Sequence, residues 1–225
     1  MAMTDLICFD CDGVLVDSER LAAQTTADLL AALGVDLTWQ QASQLFTGKH
    51  AADAMQTLHE TYGLVPPADY QQRFDGLLHQ KFRAELRPVP GINTVLAALD
   101  RPCCVTSNSG HARLALSLSL TGLDRHFGPH VFSAEDVARG KPAPDLFHHA
   151  AARLGADIRR CVVIDDSVTG ILGAVAAGAT AIGFTGGSHV GPDLGDRLRA
   201  AGACCVVDSA TGLIAALDLR AARAG

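Results

Sequence analysis

At 225 residues, 48% apolar and 19% charged, the chain can bury a sizeable core, and its composition excludes a disordered protein. A formal charge of −6 provides no basic surface for nucleic acid, so an anionic ligand would need a local cation, either a metal ion or one well-placed Lys. No run reaches signal-peptide or membrane-span length, and the expectation is a soluble, cytoplasmic protein with no membrane partner.

The first element is the short apolar run from Leu6 to Phe9, which suits a strand covered on both faces, as in a parallel sheet. Asp10 and Asp12 end it. If the extended backbone persists that far, their spacing puts both carboxylates on one side while Cys11 points to the other, and Gly13 lets the chain turn at once. Two like charges at the end of a buried strand are costly without a cation or a shared proton. A divalent metal would compensate them; a pair of solvated turn residues is the competing explanation.

From Ser18 to about Glu85 the pattern is helical throughout. Asp17 or Ser18 can cap a helix carrying Leu21, Leu29, Leu30 and Leu33 and stopped by Gly34; shorter helices are predicted over 40–46, 50–62 and 69–85. Trp39, Tyr62, Tyr70 and Phe74 are expected in the core of this block. After Pro88-Val89-Pro90-Gly91 the character changes to alternating strands and helices. Strands are predicted over 103–106, 130–133, 161–164, 180–184 and 204–207, with helices over 92–99, 112–120, 144–154, 168–177, 194–201 and 211–217. The Ala-rich tail from Leu217 reads as a frayed helix end.

The predicted fold class is therefore α/β: a Rossmann-like, doubly wound parallel sheet formed by residues 1–16 and 88–225, with an all-helical domain, residues 17–87, inserted after the first strand. Hinges are expected near 15–18 and 85–91. The seven Cys fall mostly in or beside apolar runs and read as small buried hydrophobes. Cys8-x-x-Cys11 lies in a strand rather than at a helix start, which argues against redox or zinc chemistry. His126 and His130 are separated by a helix-breaking Gly128-Pro129, which argues against a metal pair, and His111, His148 and His149 read as surface residues.

Ligands of open α/β sheets bind at the carboxyl ends of the strands. The residues there are Asp10 and Asp12, then Thr106-Ser107-Asn108, then Gly140-Lys141-Pro142 before a helix, then Asp165-Asp166-Ser167. Four acids, a hydroxyl and amide cluster and one cation suit Mg²⁺-assisted phosphoryl transfer. Mg²⁺ takes hard oxygen ligands, which Asp10 and Asp166 can supply. Asp10 can attack phosphorus, Asp12 can protonate the leaving oxygen and later deprotonate water, and Ser107, the Asn108 backbone and Lys141 can hold the remaining phosphate oxygens. Each group alone also fits a structural role, as a turn, a helix cap or a solvated Lys.

The set Phe9-Asp10-Cys11-Asp12-Gly13-Val14-Leu15, Thr106-Ser107-Asn108, Lys141-Pro142-Ala143-Pro144 and Val163-Ile164-Asp165-Asp166-Ser167 resembles a haloacid dehalogenase superfamily phosphatase with a helical cap, over essentially the whole chain. The resemblance implies Asp10 as nucleophile, Asp12 as acid and base, and Ser107 and Lys141 as phosphate contacts. It further implies Mg²⁺ held by the Asp10 carboxylate, the Asp12 carbonyl and Asp166, with Asp165 a ligand or a partner of one. The dehalogenases of the superfamily lack an acid at the position of Asp12, and its phosphonate hydrolases carry a small residue there; neither matches. Within the superfamily the sequence resembles the bacterial sugar-phosphate phosphatases, such as the 6-phosphogluconate phosphatases, of the group that also holds the β-phosphoglucomutase-like proteins.

The expected function is hydrolysis of a small phosphorylated metabolite, a sugar or sugar-acid phosphate, by a monomer. The alternatives are a phosphoglucomutase-like phosphotransferase and a non-catalytic sugar-phosphate-binding module. β-Phosphoglucomutases carry a His near Ala22 and an Arg near Ala51, both missing here. The turn Thr47-Gly48-Lys49-His50 is the candidate substrate contact from the cap, with a solvated helix start as the alternative.

Overall fold

The computed structural model describes residues 4–46 and 51–223. Among them, six strands form one sheet: β1 (Leu6–Phe9), β2 (Cys103–Ser107), β3 (Val131–Ser133), β4 (Cys161–Asp165), β5 (Thr180–Phe184) and β6 (Cys205–Val207). Every pairing is parallel and the order is β3-β2-β1-β4-β5-β6. The chain therefore lays down strands in one direction to β3 and then returns to the far side of β1, so the order reverses between β1 and β4. That reversal opens a crevice at the carboxyl ends of the two strands, where α/β sheets hold their ligands.

All four residues of β1 are buried, as a central parallel strand requires. One face of the sheet packs Leu6, Cys8, Cys104 and Val163 with Leu146 and Phe147 of α8 (Asp145–Arg153) and Ile171 and Ala174 of α9 (Val168–Ala177), the helices numbered in chain order. On the other face Phe9 meets Phe127 edge to face, with ring centroids 6.2 Å apart. Cys8, Cys11, Cys104 and Cys161 are enclosed as small apolar groups, whereas Cys204 is exposed.

The chain divides into two compact units: residues up to Asp17 together with those from Arg87 onward, and Ser18–Leu86. The second unit consists of α1 (Glu19–Ala31), α2 (Trp39–Phe46), α3 (Ala51–Tyr62) and α4 (Tyr70–Glu85). Its core is Leu29, Leu30, Leu58 and Tyr70, backed by Phe46, Tyr62 and Phe74. Trp39, at the start of α2, is half-buried. The predicted turn Thr47-Gly48-Lys49-His50 lies outside the described residues.

Within the first unit, the two connections to the helical insertion run antiparallel. Asp17 N–H donates to the Arg87 carbonyl at 3.0 Å, and Val89 N–H donates to the Leu15 carbonyl at 3.0 Å. The remaining helices are α5 (Ile92–Ala98), α6 (His111–Thr121), α7 (Asp124–Phe127), α10 (Leu194–Ala200) and α11 (Ala210–Arg223). The single-turn α7 has no sequence signal, because four residues are too few to show a period. The helix predicted to end near Leu217 instead continues to Arg223 through residues of high helix propensity. β2 and β4 each extend one residue past expectation, which makes Ser107 and Asp165 the last residues of their strands. Among the described residues, no helix is long and apolar enough to cross a membrane.

Phe147 is fully buried between α9 and the sheet, and Phe147→Ala should cost about 3–5 kcal/mol, read as a lower urea midpoint at unchanged slope.

Candidate active site

The site is built at the reversal point. Asp10 directly follows β1, and its N–H donates to the Ile164 carbonyl of β4 at 2.9 Å, which ties the end of β1 to its neighbour. The chain then turns sharply: Gly13 N–H bonds the Val16 carbonyl at 2.8 Å, and Leu15 and Val16 both donate to the Cys11 carbonyl. Gly13 has φ +77°, and a Cβ there would sit 1.8 Å from Asp166 Oδ2. Glycine is required twice over, for the turn and for the approach of the acid.

Lys141 is 2% exposed and lies between two acids: its Nζ is 2.9 Å from Asp10 Oδ1 and 2.7 Å from Asp165 Oδ2. Burial alone would lower the ammonium's pKa, but the charges of Asp10 and Asp165 outweigh that and raise it, so Lys141 stays charged. Its backbone is clamped by the Asn108 side chain, which accepts from Lys141 N–H at 2.8 Å and donates to the Lys141 carbonyl at 3.0 Å. The side chain of Asn108 is thus committed to placing Lys141.

Asp165 is held from both sides. Its Oδ1 accepts from the Ser167 N–H and hydroxyl at 2.9 and 2.6 Å, while Oδ2 faces Lys141. Ser167 also caps α9, accepting from Gly170 N–H at 2.9 Å. Within the Asp165-Asp166-Ser167 stretch it is thus Ser167 that caps the helix. A Cβ on Gly170 would meet the Asp165 carboxylate at 1.9 Å. Asp166 Oδ2 lies 3.1 Å from Nε2 of buried His189.

The carboxylate oxygens of Asp10, Asp165 and Asp166 come within 4.8 Å of one another, a spacing suited to a metal ion. Burial, followed by the neighbouring carboxylates, raises the Asp10 pKa well above its ordinary value of 3.8 despite Lys141. Burial likewise raises Asp166, partly offset by His189. The Asp12 carboxylate stands apart: Ser109 Oγ donates to Oδ2 at 2.6 Å and Arg113 Nη2 to Oδ1 at 2.8 Å. Ser107 is buried at the end of β2 beside this loop, its hydroxyl accepting from Ser109 N–H at 3.2 Å.

The structure therefore brings together Asp10, Asp12, Ser107, Asn108, Lys141, Asp165 and Asp166, and adds Ser109, Arg113 and His189, which sequence reasoning did not single out. Arg113 carried one available signal: a cation in the first turn of a helix opposes the helix dipole. His189, in a loop without periodic pattern, carried none.

A parallel sheet whose order reverses at β1/β4, with acids from both strands around a buried Lys at the reversal, defines a doubly wound α/β protein with an acidic site at its switch point. A family model described as haloacid dehalogenase-like hydrolase matches residues 4–178, and the chain belongs to that family. Its relatives include the 6-phosphogluconate phosphatase of Escherichia coli (strain K12), 26% identical over 193 residues that make up 85% of this chain and 87% of that one. Among solved structures, a conserved haloacid dehalogenase-like protein of unknown function from Agrobacterium tumefaciens str. C58 is 38% identical with a TM-score of 0.88, covering 98% of this chain and 99% of the other. A family hydrolase from Deinococcus radiodurans R1, solved with bound phosphate and sodium, is 36% identical with a TM-score of 0.84, covering 97% of each chain.

Two outcomes follow from the packing of the acids. Gly170→Ala, which would stabilise an exposed helix by about 1 kcal/mol, should instead destabilise by about 1–3 kcal/mol in urea unfolding, because the new methyl group collides with Asp165. Asp10 binds its proton more tightly in the folded than in the unfolded chain, so its contribution to stability is fully present below pH 3.8 and is lost as pH rises through the raised folded value. In metal-free buffer Asp10→Asn, neutral at every pH, should melt above the wild type near neutral pH and converge with it in acid; a lower midpoint at neutral pH would contradict this.

Proposed function

We propose that this protein is a Mg²⁺-dependent phosphomonoester hydrolase acting on a small sugar or sugar-acid phosphate through an aspartyl-phosphate on Asp10. The observation that carries this reading is the meeting of Asp10, Asp165 and Asp166 around the buried Lys141 at the sheet's reversal point. The 6-phosphogluconate phosphatase similarity supports the substrate class, and the phosphate bound by the Deinococcus relative supports the ligand.

The residues fit a divalent cation. Three buried carboxylates crowd together, the pKa values of Asp10 and Asp166 are raised in its absence, and the donors are all hard oxygens. Asp10 and Asp166 would hold it together with the Asp12 carbonyl, while Asp165, whose oxygens already face Lys141 and Ser167, would act by fixing Lys141. The bound ion supplies charge neutralisation that lets a dianionic phosphate approach an anionic nucleophile.

An Asp10 oxygen attacks phosphorus; as the new O–P bond forms, the bond to the sugar oxygen breaks, and that oxygen takes a proton from Asp12. Asp12, now a carboxylate, takes a proton from water. The water oxygen attacks phosphorus, the bond to Asp10 breaks, and inorganic phosphate leaves with both acids restored. Ser107, the Asn108 backbone N–H and Lys141 hold the oxygens that do not transfer, where charge builds up during both steps. The helical insertion, residues 17–87, is the part to which we assign the choice of leaving group.

Phosphate release should be measured with Mg²⁺ on 6-phosphogluconate, glucose 1-phosphate and phosphoglycolate. We expect one preferred substrate, loss of activity with a chelator and its return with Mg²⁺, and no turnover by folded Asp10→Asn. Folded wild-type protein that releases no phosphate from any of them would favour the binding module, and rapid isomerisation of glucose 1-phosphate would favour the mutase.

A further inference from the structure

The proton transfer assigned to Asp12 requires its carboxyl group to be held at a fixed orientation. Asp12 is bound by the loop after β2 and the first turn of α6. Ser109 Oγ donates to one carboxylate oxygen at 2.6 Å and Arg113 Nη2 to the other at 2.8 Å. Two donors on two different oxygens fix both the position of the group and the plane in which it lies.

Each donor is itself placed. Ser109 is anchored through its carbonyl, which accepts from Ser133 Oγ at 2.8 Å, and through its N–H, which donates to Ser107 Oγ. Arg113 is the third residue of α6, whose first N–H, that of His111, donates to the Glu135 carboxylate at 3.0 Å, so an acid already meets the start of the helix and the Arg113 side chain reaches Asp12. Its side chain is only 25% exposed. Arg113 thus spans from the first turn of α6 to a buried acid.

We propose that Arg113, with Ser109, is a positioning residue that orients the Asp12 carboxyl group toward the leaving-group oxygen. This rests on the reading of Asp12 as the acid that protonates that oxygen. Arg113 touches neither the phosphate nor the sugar in this account; it acts through Asp12.

The consequence depends on the leaving group. A sugar oxygen must be protonated as its bond to phosphorus breaks, whereas p-nitrophenolate departs without help. Both kcat/KM values report steps up to formation of the aspartyl-phosphate, so their comparison isolates the proton transfer. The test uses p-nitrophenyl phosphate and whichever sugar phosphate of the panel above the wild type hydrolyses fastest.

Asp12→Ala should lower kcat/KM on the sugar phosphate by about 10²- to 10⁴-fold and affect p-nitrophenyl phosphate far less. Arg113→Met should lower the sugar-phosphate value by about 10- to 100-fold, leave p-nitrophenyl phosphate within about 3-fold, and add nothing when combined with Asp12→Ala. Arg113→Lys should recover part of the loss. Ser109→Ala, which removes the other donor without a change of charge, should shift the same ratio and provides the test should Arg113→Met not fold.

Equal losses on the two substrates, no loss, or a full further loss in the Asp12→Ala background would overturn the role of Arg113 while leaving that of Asp12 intact. If Asp12→Ala itself shows no dependence on the leaving group, Asp12 is not the acid and both assignments fall. A folded wild type that releases phosphate from none of these compounds, p-nitrophenyl phosphate included, removes the phosphatase reading and this inference with it.

Discussion

A buried ammonium set between two buried carboxylates is the interaction on which the rest of the site depends. Lys141, Asp10 and Asp165 come from three separate stretches, and each would be costly to bury alone. Their mutual neutralisation is incomplete, since Asp166 brings a further acid into the same space. Much of the surrounding sequence serves to hold that arrangement. The Asn108 side chain grips the backbone of Lys141, Ser167 fixes Asp165 while starting α9, and Gly13 and Gly170 leave the room that Asp166 and Asp165 occupy. Removing any of these groups would shift charge by fractions of an ångström in a medium that screens it poorly.

The fold shows why these groups meet. β1 is the first strand laid down and the central one in the sheet, with β2 on one side and β4 on the other. The residue that follows β1 and the residue that ends β4 are forced together by parallel register, in which Phe9 lies beside Ile164. Functional groups separated by most of the chain therefore become neighbours without any dedicated scaffold. The same register brings β2, and with it Ser107, to the opposite flank of β1.

Much of this was legible in the residue pattern. Short apolar runs ending in Asp10, Ser107 and Asp165 marked the strand ends, and the parallel alternation implied that those ends share one edge. What was not legible acts between side chains far apart in sequence. The bonds from Ser109 and Arg113 to Asp12 span 97 and 101 residues, and that from His189 to Asp166 depends on a loop with no period to read. The side chain of Asn108 has a task its neighbours in sequence did not suggest: it secures the backbone of Lys141, which leaves its own backbone N–H for the phosphate contact we propose.

The antiparallel pairing of the two connections, Leu15 to Asp17 against Arg87 to Val89, has an evolutionary meaning. The insertion leaves and re-enters the sheet-bearing unit at adjacent points, so the polypeptide between them can lengthen, shorten or be replaced while β1 keeps its register. Lengthening an already closed excursion carries an entropic penalty that grows only with the logarithm of its length. The helical unit can therefore vary independently of the sheet-bearing unit, and the acids at the ends of β1 and β4 need not be assembled again when it does.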